Sequence, residues 1–223
     1  MTDAHAARRV PISGLYALTP DLADTHLLAE RVAAALAGGA TAVQYRNKYA
    51  DAALRLEQAL ELARLCADRA TLIVNDDVEL AAAVGAQGVH LGRDDASLAL
   101  ARDRLGRTAI LGASCYDSLD RAELAVREGA DYIAFGSFFA SSVKPEARRA
   151  SPSLLVAARE RWGVGVVAIG GITPANGGAL LAAGADALAV ISALFDAPDL
   201  RGVTTAARDF SRLFSSPNPE PRP

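Results

Sequence analysis

Cysteine is nearly absent from this chain: Cys66 and Cys115 are the only two, and their separation matches no metal-binding spacing and no disulfide framework. Histidine is almost as scarce, and His5, His26 and His90 lie too far apart in sequence to support a zinc site. Aromatic residues make up 5% of the chain although 51% is hydrophobic, because alanine carries much of the apolar count. A composition of that kind is helix-rich and globular, and 223 residues suffice for a sizeable core. There is no basic excess: the formal net charge of -3 argues against a nucleic-acid partner. No uncharged apolar run is long enough to span a bilayer, so no membrane partner is expected. MTDAHAARRV lacks the apolar core of a secretion signal, and a reducing cytoplasm is the expected compartment. Residues 215–223, SSPNPEPRP, read as a disordered proline-rich tail, and residues 1–13 as an N-terminal extension.

What the chain does have is a repeated grammar. Ala/Leu-rich amphipathic stretches close on a Gly-Ala turn, and a β-branched apolar run follows. Gly39-Ala40, Gly85-Ala86, Gly129-Ala130 and Gly184-Ala185 each precede such a run. Glycine just past a helix end supplies the left-handed residue that turns the chain back. The remaining strand candidates are LYALT, TLIVN, TAILGAS and VVAIGG, giving eight strands with a helical pattern after each. Strands alternating with helices pair in parallel, and continuous apolar strands are buried on both faces. The reading is a single α/β domain, a (β/α)₈ TIM barrel over residues 14–214. An open doubly wound sheet lacks its glycine fingerprint, since LTPDLAD follows the first strand.

In such a barrel the chemistry sits at the C-terminal ends of the strands. Strand two ends in VQYRNK, and alternation places Gln44, Arg46 and Lys48 on one face and Tyr45 on the other. Two cations and an amide at a barrel mouth suit a polyanion carrying a polar ring. Strand three ends in Asn75-Asp76-Asp77, and strand four in Gly92-Arg93-Asp94-Asp95. Within each pair either aspartate is able to cap the following helix, Asp76 with Glu79 as a capping box or Asp77 in its place. Doubled carboxylates beside a basic strand end repel a phosphate unless a metal lies between them. Mg²⁺ takes one or two carboxylates together with water and phosphate oxygens. The doubled aspartates therefore read as two caps and two metal ligands.

His90, inside a strand, reads as a satisfied core histidine. Ser114 on strand five is a donor for a phosphate oxygen, and nothing nearby in sequence completes a nucleophilic triad. Cys115 is a thiol at the mouth, inert by default. Ala140 to Ser151 is too long and polar for a tight turn and reads as a binding loop or lid with Lys144 near its start. AIGGIT and AVISALF, from strands seven and eight, carry the glycine-rich end and helix start of a phosphate site, with Gly171 and Ser192 as its contacts. Two anion sites follow: one metal-assisted, one built from backbone amides.

VQYRNK, VNDD, GVHLGRDD, GASC, the lysine of SSVK, AIGGIT and VIS stand in the order and spacing of thiamine-phosphate synthase, and the resemblance runs from about Gly14 to Phe214. It implies a (β/α)₈ barrel, a Mg²⁺ cofactor, and transfer of a pyrimidinylmethyl group from its diphosphate to a thiazole phosphate. By this resemblance Gln44, Tyr45, Arg46, Asn47, Lys48 and Asn75 hold the pyrimidine diphosphate. Asp76 and Asp95 bind Mg²⁺, and Ser114 and Lys144 contact the diphosphate. Ser141, Ser142, Val143, Gly171, Ile191 and Ser192 hold the thiazole phosphate, Ile191 through its backbone. The implied mechanism is dissociative, with Arg46, Lys144 and Ser114 serving the departing diphosphate.

Two departures from the family pattern stand out. Ala140-Ser141-Ser142-Val143-Lys144 occupies the place of a proline-preceded Thr-x-Thr-Lys, and Arg93-Asp94 that of a glutamine-glutamate pair. Both bear on affinity more than on reaction type. Two other functions share the features: a thiazole tautomerase-like isomerase, and a barrel that binds thiazole or thiamine phosphate without turnover. The isomerase is associated with a histidine just after strand five, where this chain has Tyr116.

Overall fold

The computed structural model describes residues 11–92, 95–140 and 149–215. Eight parallel strands close into a barrel in sequence order, β8 pairing back on β1 with Gly14 opposite Ala187. The strands are β1 (Gly14–Leu18), β2 (Ala40–Tyr45), β3 (Thr71–Asn75), β4 (Gly88–Leu91), β5 (Ile110–Tyr116), β6 (Tyr132–Gly136), β7 (Gly165–Ile169) and β8 (Ala187–Val190). Every one of the eight expected strands is present, within two residues at either end. Around them run α1 (Thr25–Ala37), α2 (Ala52–Cys66), α3 (Val78–Val84), α4 (Leu98–Leu105), α5 (Leu119–Arg127), α6 (Ser153–Arg161), α7 (Pro174–Ala182), the short α8 (Ser192–Phe195) and α9 (Leu200–Ser215). Among the described residues no helix is long and apolar enough to cross a membrane.

Alternation along each strand splits the core in two. Odd-numbered residues of β1 and β2, such as Leu15, Val43 and Tyr45, face the helices and join one large outer cluster. Tyr16, Leu18, Ala42, Ile73, Tyr132 and Val167 face inward and fill the barrel. Ile12 joins this inner cluster at 1% exposure. The apolar residue nearest β1 thus plugs the barrel floor and is part of the packed core, a correction to its place in an N-terminal extension.

The Gly-Ala grammar has a second function at the floor. The residue after each alanine reaches sideways to the preceding strand. Gln87 Oε1 accepts from Leu72 N at 2.7 Å, Asp131 Oδ2 from Leu111 N at 2.9 Å, and Asp186 Oδ2 from Val166 N at 2.8 Å. Arg102 and Arg159 pair with Asp131 and Asp186. These side chains satisfy strand N–H groups before the ladder begins, so polar residues at strand starts serve stability. The opposite end is left free for chemistry.

Candidate active site

A cavity of about 660 Å³ opens at the C-terminal ends of the strands, within the usual size of a small-molecule site. From β2 and the residues after it come Gln44, Arg46 and Lys48, the face that alternation assigned. Tyr45 and Asn47 are in the expected ligand set, and here the structure corrects the reading. Both side chains turn to the helix layer, where Tyr45 Oη and Asn47 Nδ2 donate to Gln58 Oε1 at 2.9 and 3.0 Å. Asn47 also donates to Leu22 O at 2.8 Å, so it shapes the loop instead of lining the cavity.

Two residues after β1 that the sequence reading passed over build the basic edge. Thr19 Oγ1 accepts from Arg46 N and donates to Arg46 O, both at 2.8 Å. Asp21 accepts from Lys48 N at 2.7 Å and pairs with the Arg46 guanidinium at 3.1 Å. The LTPDLAD segment thus fixes where both cations start. Its polar residues after a strand end were the available signal.

The doubled aspartates separate by role. Asp77 is the N-cap of α3: its carboxylate accepts from Leu80 N at 2.8 Å and pairs with Arg55 at 2.6 Å. Glu79 completes no capping box but pairs with Arg104. Asp76, with φ of +63°, turns its carboxylate into the cavity, a backbone state that aspartate tolerates better than most residues. The second pair departs from the expected division, because the cap of α4 is Ser97, which accepts from Leu100 N. Asp95 folds back to accept from Gly92 N at 2.6 Å and also lines the cavity, while Arg93 and Asp94 lie outside the described residues.

Burial, and then the neighbouring Asp95 carboxyl, push Asp76 up to about 6, against the opposing pull of Asn75 and Lys48. Asn75 Nδ2 donates to Asp76 Oδ2 at 2.5 Å. Two carboxyls held together at a half-buried mouth form an all-oxygen donor set whose repulsion is only partly relieved, which fits a hard divalent cation such as Mg²⁺. Among the described residues no group of three or more His, Cys, Asp or Glu side chains is arranged for a metal. Mg²⁺ needs only the pair, since water and phosphate supply its other oxygens.

The cap assignment carries a test. Asp77→Ala should lower stability by ~1–2 kcal/mol, the usual cost of losing an N-cap, and Asp77→Asn by only a few tenths, since asparagine caps about as well. Turnover at saturating substrate should be unchanged in both, as read by chemical denaturation beside a rate assay. A large rate loss in Asp77→Asn at unchanged stability would move Asp77 from the helix to the site.

His90 and Ser114 require a further correction. Ser114 does have a histidine beside it, with Oγ 2.8 Å from His90 Nε2. His90 lies on the cavity floor, and its Nδ1 is 3.0 Å from Tyr132 Oη. Burial drives the imidazole down to about 4, outweighing the opposing field of Asp95, so it is neutral at physiological pH. The third group in line is a phenol, not an acid, so the pair lacks the orientation of a nucleophilic triad. Cys115 is not at the mouth: its thiol is buried outside the barrel wall, contacts Ala113 O, and is pushed up to about 12 by burial.

At the far side of the cavity, Gly171 has φ of +64°, and a Cβ there would lie 2.3 Å from Ala140 O. Only glycine lets the turn after β7 lie against the start of the β6–α6 loop. Ile191 packs its side chain on the inner cluster, and Ser192 opens α8; both line the cavity. Ser141, Ser142, Val143 and Lys144 lie outside the described residues. The cavity therefore brings together Gln44, Arg46, Lys48, Asn75, Asp76 and Asp95 on one side, Ser114 on its floor, and Gly171, Ile191 and Ser192 on the other.

Comparisons with known proteins agree with this geometry. A family model described as thiamine monophosphate synthase matches residues 15–194. The chain is 56% identical over 204 residues to the thiamine-phosphate synthase of Thiobacillus denitrificans, covering 91% of this chain and 95% of that one. It is 55% identical over 206 residues to that of Chromobacterium violaceum, covering 92% and 98%. Among solved structures, the thiamine phosphate pyrophosphorylase from Pyrococcus furiosus superposes with a TM-score of 0.79 at 36% identity, covering 91% of this chain and 95% of that one.

Proposed function

The chain belongs to the thiamine-phosphate synthase family, a family of transferases, and we propose that it joins a pyrimidinylmethyl diphosphate to a thiazole phosphate to give thiamine phosphate and diphosphate. The observation that carries this reading is the convergence of Asp76 and Asp95 with Arg46 and Lys48 at one side of a single mouth. Acids and cations together suit a diphosphate held through a metal, and neither set alone does. Asp76 and Asp95 would hold Mg²⁺, which when bound neutralises charge on the leaving diphosphate.

The residues of the chain then have separate tasks. Arg46 and Lys48 hold the diphosphate, with Lys144 joining them by the family resemblance. Gln44 and Asn75 face the polar ring. Ser114 donates to a phosphate oxygen. Gly171, Ile191 and Ser192 hold the second substrate so that its ring nitrogen meets the carbon the diphosphate leaves. The substitution is dissociative: the carbon–oxygen bond breaks with its electron pair on diphosphate, and the aminopyrimidine stabilises the cation until the nitrogen attacks. Positioning and charge stabilisation account for this chemistry, with no general base or nucleophile required. The cytoplasm is where we place the reaction.

The test is a turnover assay with both purified substrates and Mg²⁺, in which thiamine phosphate is detected as fluorescent thiochrome after oxidation. Product formation that is abolished by chelation and restored by Mg²⁺ is the expected result. Tight binding of thiazole phosphate without product would make the chain a binder, and isomerisation of a thiazole substrate alone would make it an isomerase. Tyr116, which lines the cavity where an isomerase is associated with histidine, favours the synthase.

A further inference from the structure

Four hydrogen bonds, through Tyr16, Tyr132 and His90, join Gln44 to Ser114 inside the barrel. Gln44 Nε2 donates to Tyr16 Oη at 2.8 Å, and Tyr16 Oη is 3.0 Å from Tyr132 Oη. Tyr132 Oη is 3.0 Å from His90 Nδ1, and His90 Nε2 is 2.8 Å from Ser114 Oγ. Tyr16, Tyr132, Gln44 and His90 are all buried, at 1%, 0%, 3% and 7% exposure. The path is built by a missing side chain: a Cβ on Gly112 would lie 2.0 Å from the Tyr132 ring. No task in the mechanism above uses Tyr16, Tyr132 or His90.

Counting protons gives the chain a direction. Tyr16 has one hydroxyl proton, its oxygen already accepts from Gln44, and its remaining partner is Tyr132. Tyr16 therefore donates to Tyr132. The single proton of Tyr132 must then go to His90 Nδ1, which becomes an acceptor. A neutral imidazole carries one N–H, so it sits on Nε2 and donates to Ser114 Oγ. The hydroxyl proton of Ser114 is left for the cavity. Turning the Gln44 amide, so that Oε1 faces Tyr16, reverses every link: Ser114 then gives its proton to His90 and offers a ligand only lone pairs. Any mixed arrangement leaves a buried O–H or N–H without an acceptor, which is costly.

We infer that Tyr16, Tyr132 and His90 are positioning residues, a directed hydrogen-bond relay through which the amide orientation of Gln44 sets Ser114 as a donor to the bound anion. The inference rests on the proposed reading that an aminopyrimidine diphosphate binds here. An amino group donating to Gln44 Oε1 and a phosphate oxygen accepting from Ser114 select the same direction. The two ends of one substrate then support each other. A ring lacking the amino group loses its own hydrogen bond and also part of the hold on its diphosphate.

Two measurements test this, and neither needs product to form. In ¹⁵N-histidine-labelled protein, with His90 assigned by comparison with His90→Gln, the expected signal is that of the neutral Nε2–H tautomer. A neutral Nδ1–H tautomer would overturn the relay direction. The second is affinity for inorganic diphosphate with Mg²⁺ in a double-mutant cycle of Tyr132→Phe and Ser114→Ala. Tyr132→Phe should weaken binding about tenfold when Ser114 is present, the scale of one hydrogen bond to a charged group. In the Ser114→Ala background it should cost no more than about twofold, because the relay has no terminus to act on. Equal losses in both backgrounds would make Tyr132 merely structural and end the proposal. Thermal melts of the same four proteins separate misfolding from lost coupling. A correct tautomer and cycle in a protein that forms no thiamine phosphate would sink the synthase reading and leave the relay standing.

Discussion

Asp76→Asn should remove most Mg²⁺-dependent turnover, by about 10²-fold or more, while making the metal-free protein more stable. The rate loss follows from replacing one of two carboxylates with a neutral amide where a metal supplies several kcal/mol of charge stabilisation. The gain in stability follows from linkage. Asp76 is held up at about 6 in the folded protein, above its ordinary value near 3.8. Its ionised form therefore costs the fold free energy, a cost fully present above about 6 and relieved as the pH falls towards the ordinary value. Asparagine keeps the left-handed backbone and an acceptor for Asn75 but carries no charge. At pH 7 in a chelator the variant should melt about 2–4 °C higher, the effect of ~1 kcal/mol in a domain of this length. Solvent at the half-exposed carboxyl keeps the effect from being larger. The gap should narrow as the pH is lowered from 7 to 5. Saturating Mg²⁺ should raise the melting point of the wild type and leave that of the variant unchanged. A variant that keeps wild-type turnover at ordinary Mg²⁺ would remove Asp76 from the metal site.

The barrel was legible because its period is simple. Apolar runs and helical stretches alternate eight times, four of the runs directly after a Gly-Ala stop, and each carries the same instruction about which end faces up. The polar residues at strand ends were legible for the same reason, and Gln44, Arg46 and Lys48 share a face by alternation alone. What the sequence left out was sideways contact. Alternation along β2 also put Tyr45 on the outer face, and side chains that turn from a strand end towards a helix, as Asn47 does, are fixed by a partner such as Gln58, 11 residues further along the chain. Ser97 as the cap of α4 was hidden because Asp94 and Asp95 are equally good caps and stand closer to the strand. The relay was hidden more deeply. Tyr16, His90 and Tyr132 sit on three different strands, and only the closed barrel, with Gly112 leaving room, brings Tyr16 and His90 each to 3.0 Å from Tyr132 Oη. A usable signal existed: each is a polar-tipped aromatic residue inside or at the start of an otherwise apolar strand, before the strand's last residue.

Arg46 and Asp21 give the last expectation, because the two must be separated to say what the basic edge does. The pair is partly buried, at 15% and 22% side-chain exposure, and Asp21 also holds Lys48 N at 2.7 Å. Arg46→Ala should lower turnover by about 10²–10³-fold, the scale of losing one donor aimed at developing charge. Arg46→Lys should recover only part of it, since a lysine cannot meet Asp21 and a diphosphate oxygen with one planar fork. Asp21→Asn keeps an acceptor for Lys48 N but removes a negative charge from beside the anion site. Its two effects oppose: the guanidinium is held less firmly, and the diphosphate is repelled less. The rate constant kcat should fall by no more than about tenfold and KM for the pyrimidine diphosphate should fall with it, leaving kcat/KM nearly unchanged. Asp21→Ala loses the backbone tether as well, releasing both cations, and its kcat/KM should drop towards that of Arg46→Ala. Steady-state kinetics on the four variants decide the matter. If Asp21→Ala matches the wild type, the substrate itself orients Arg46, and the contact between Asp21 and the basic edge serves the resting protein only.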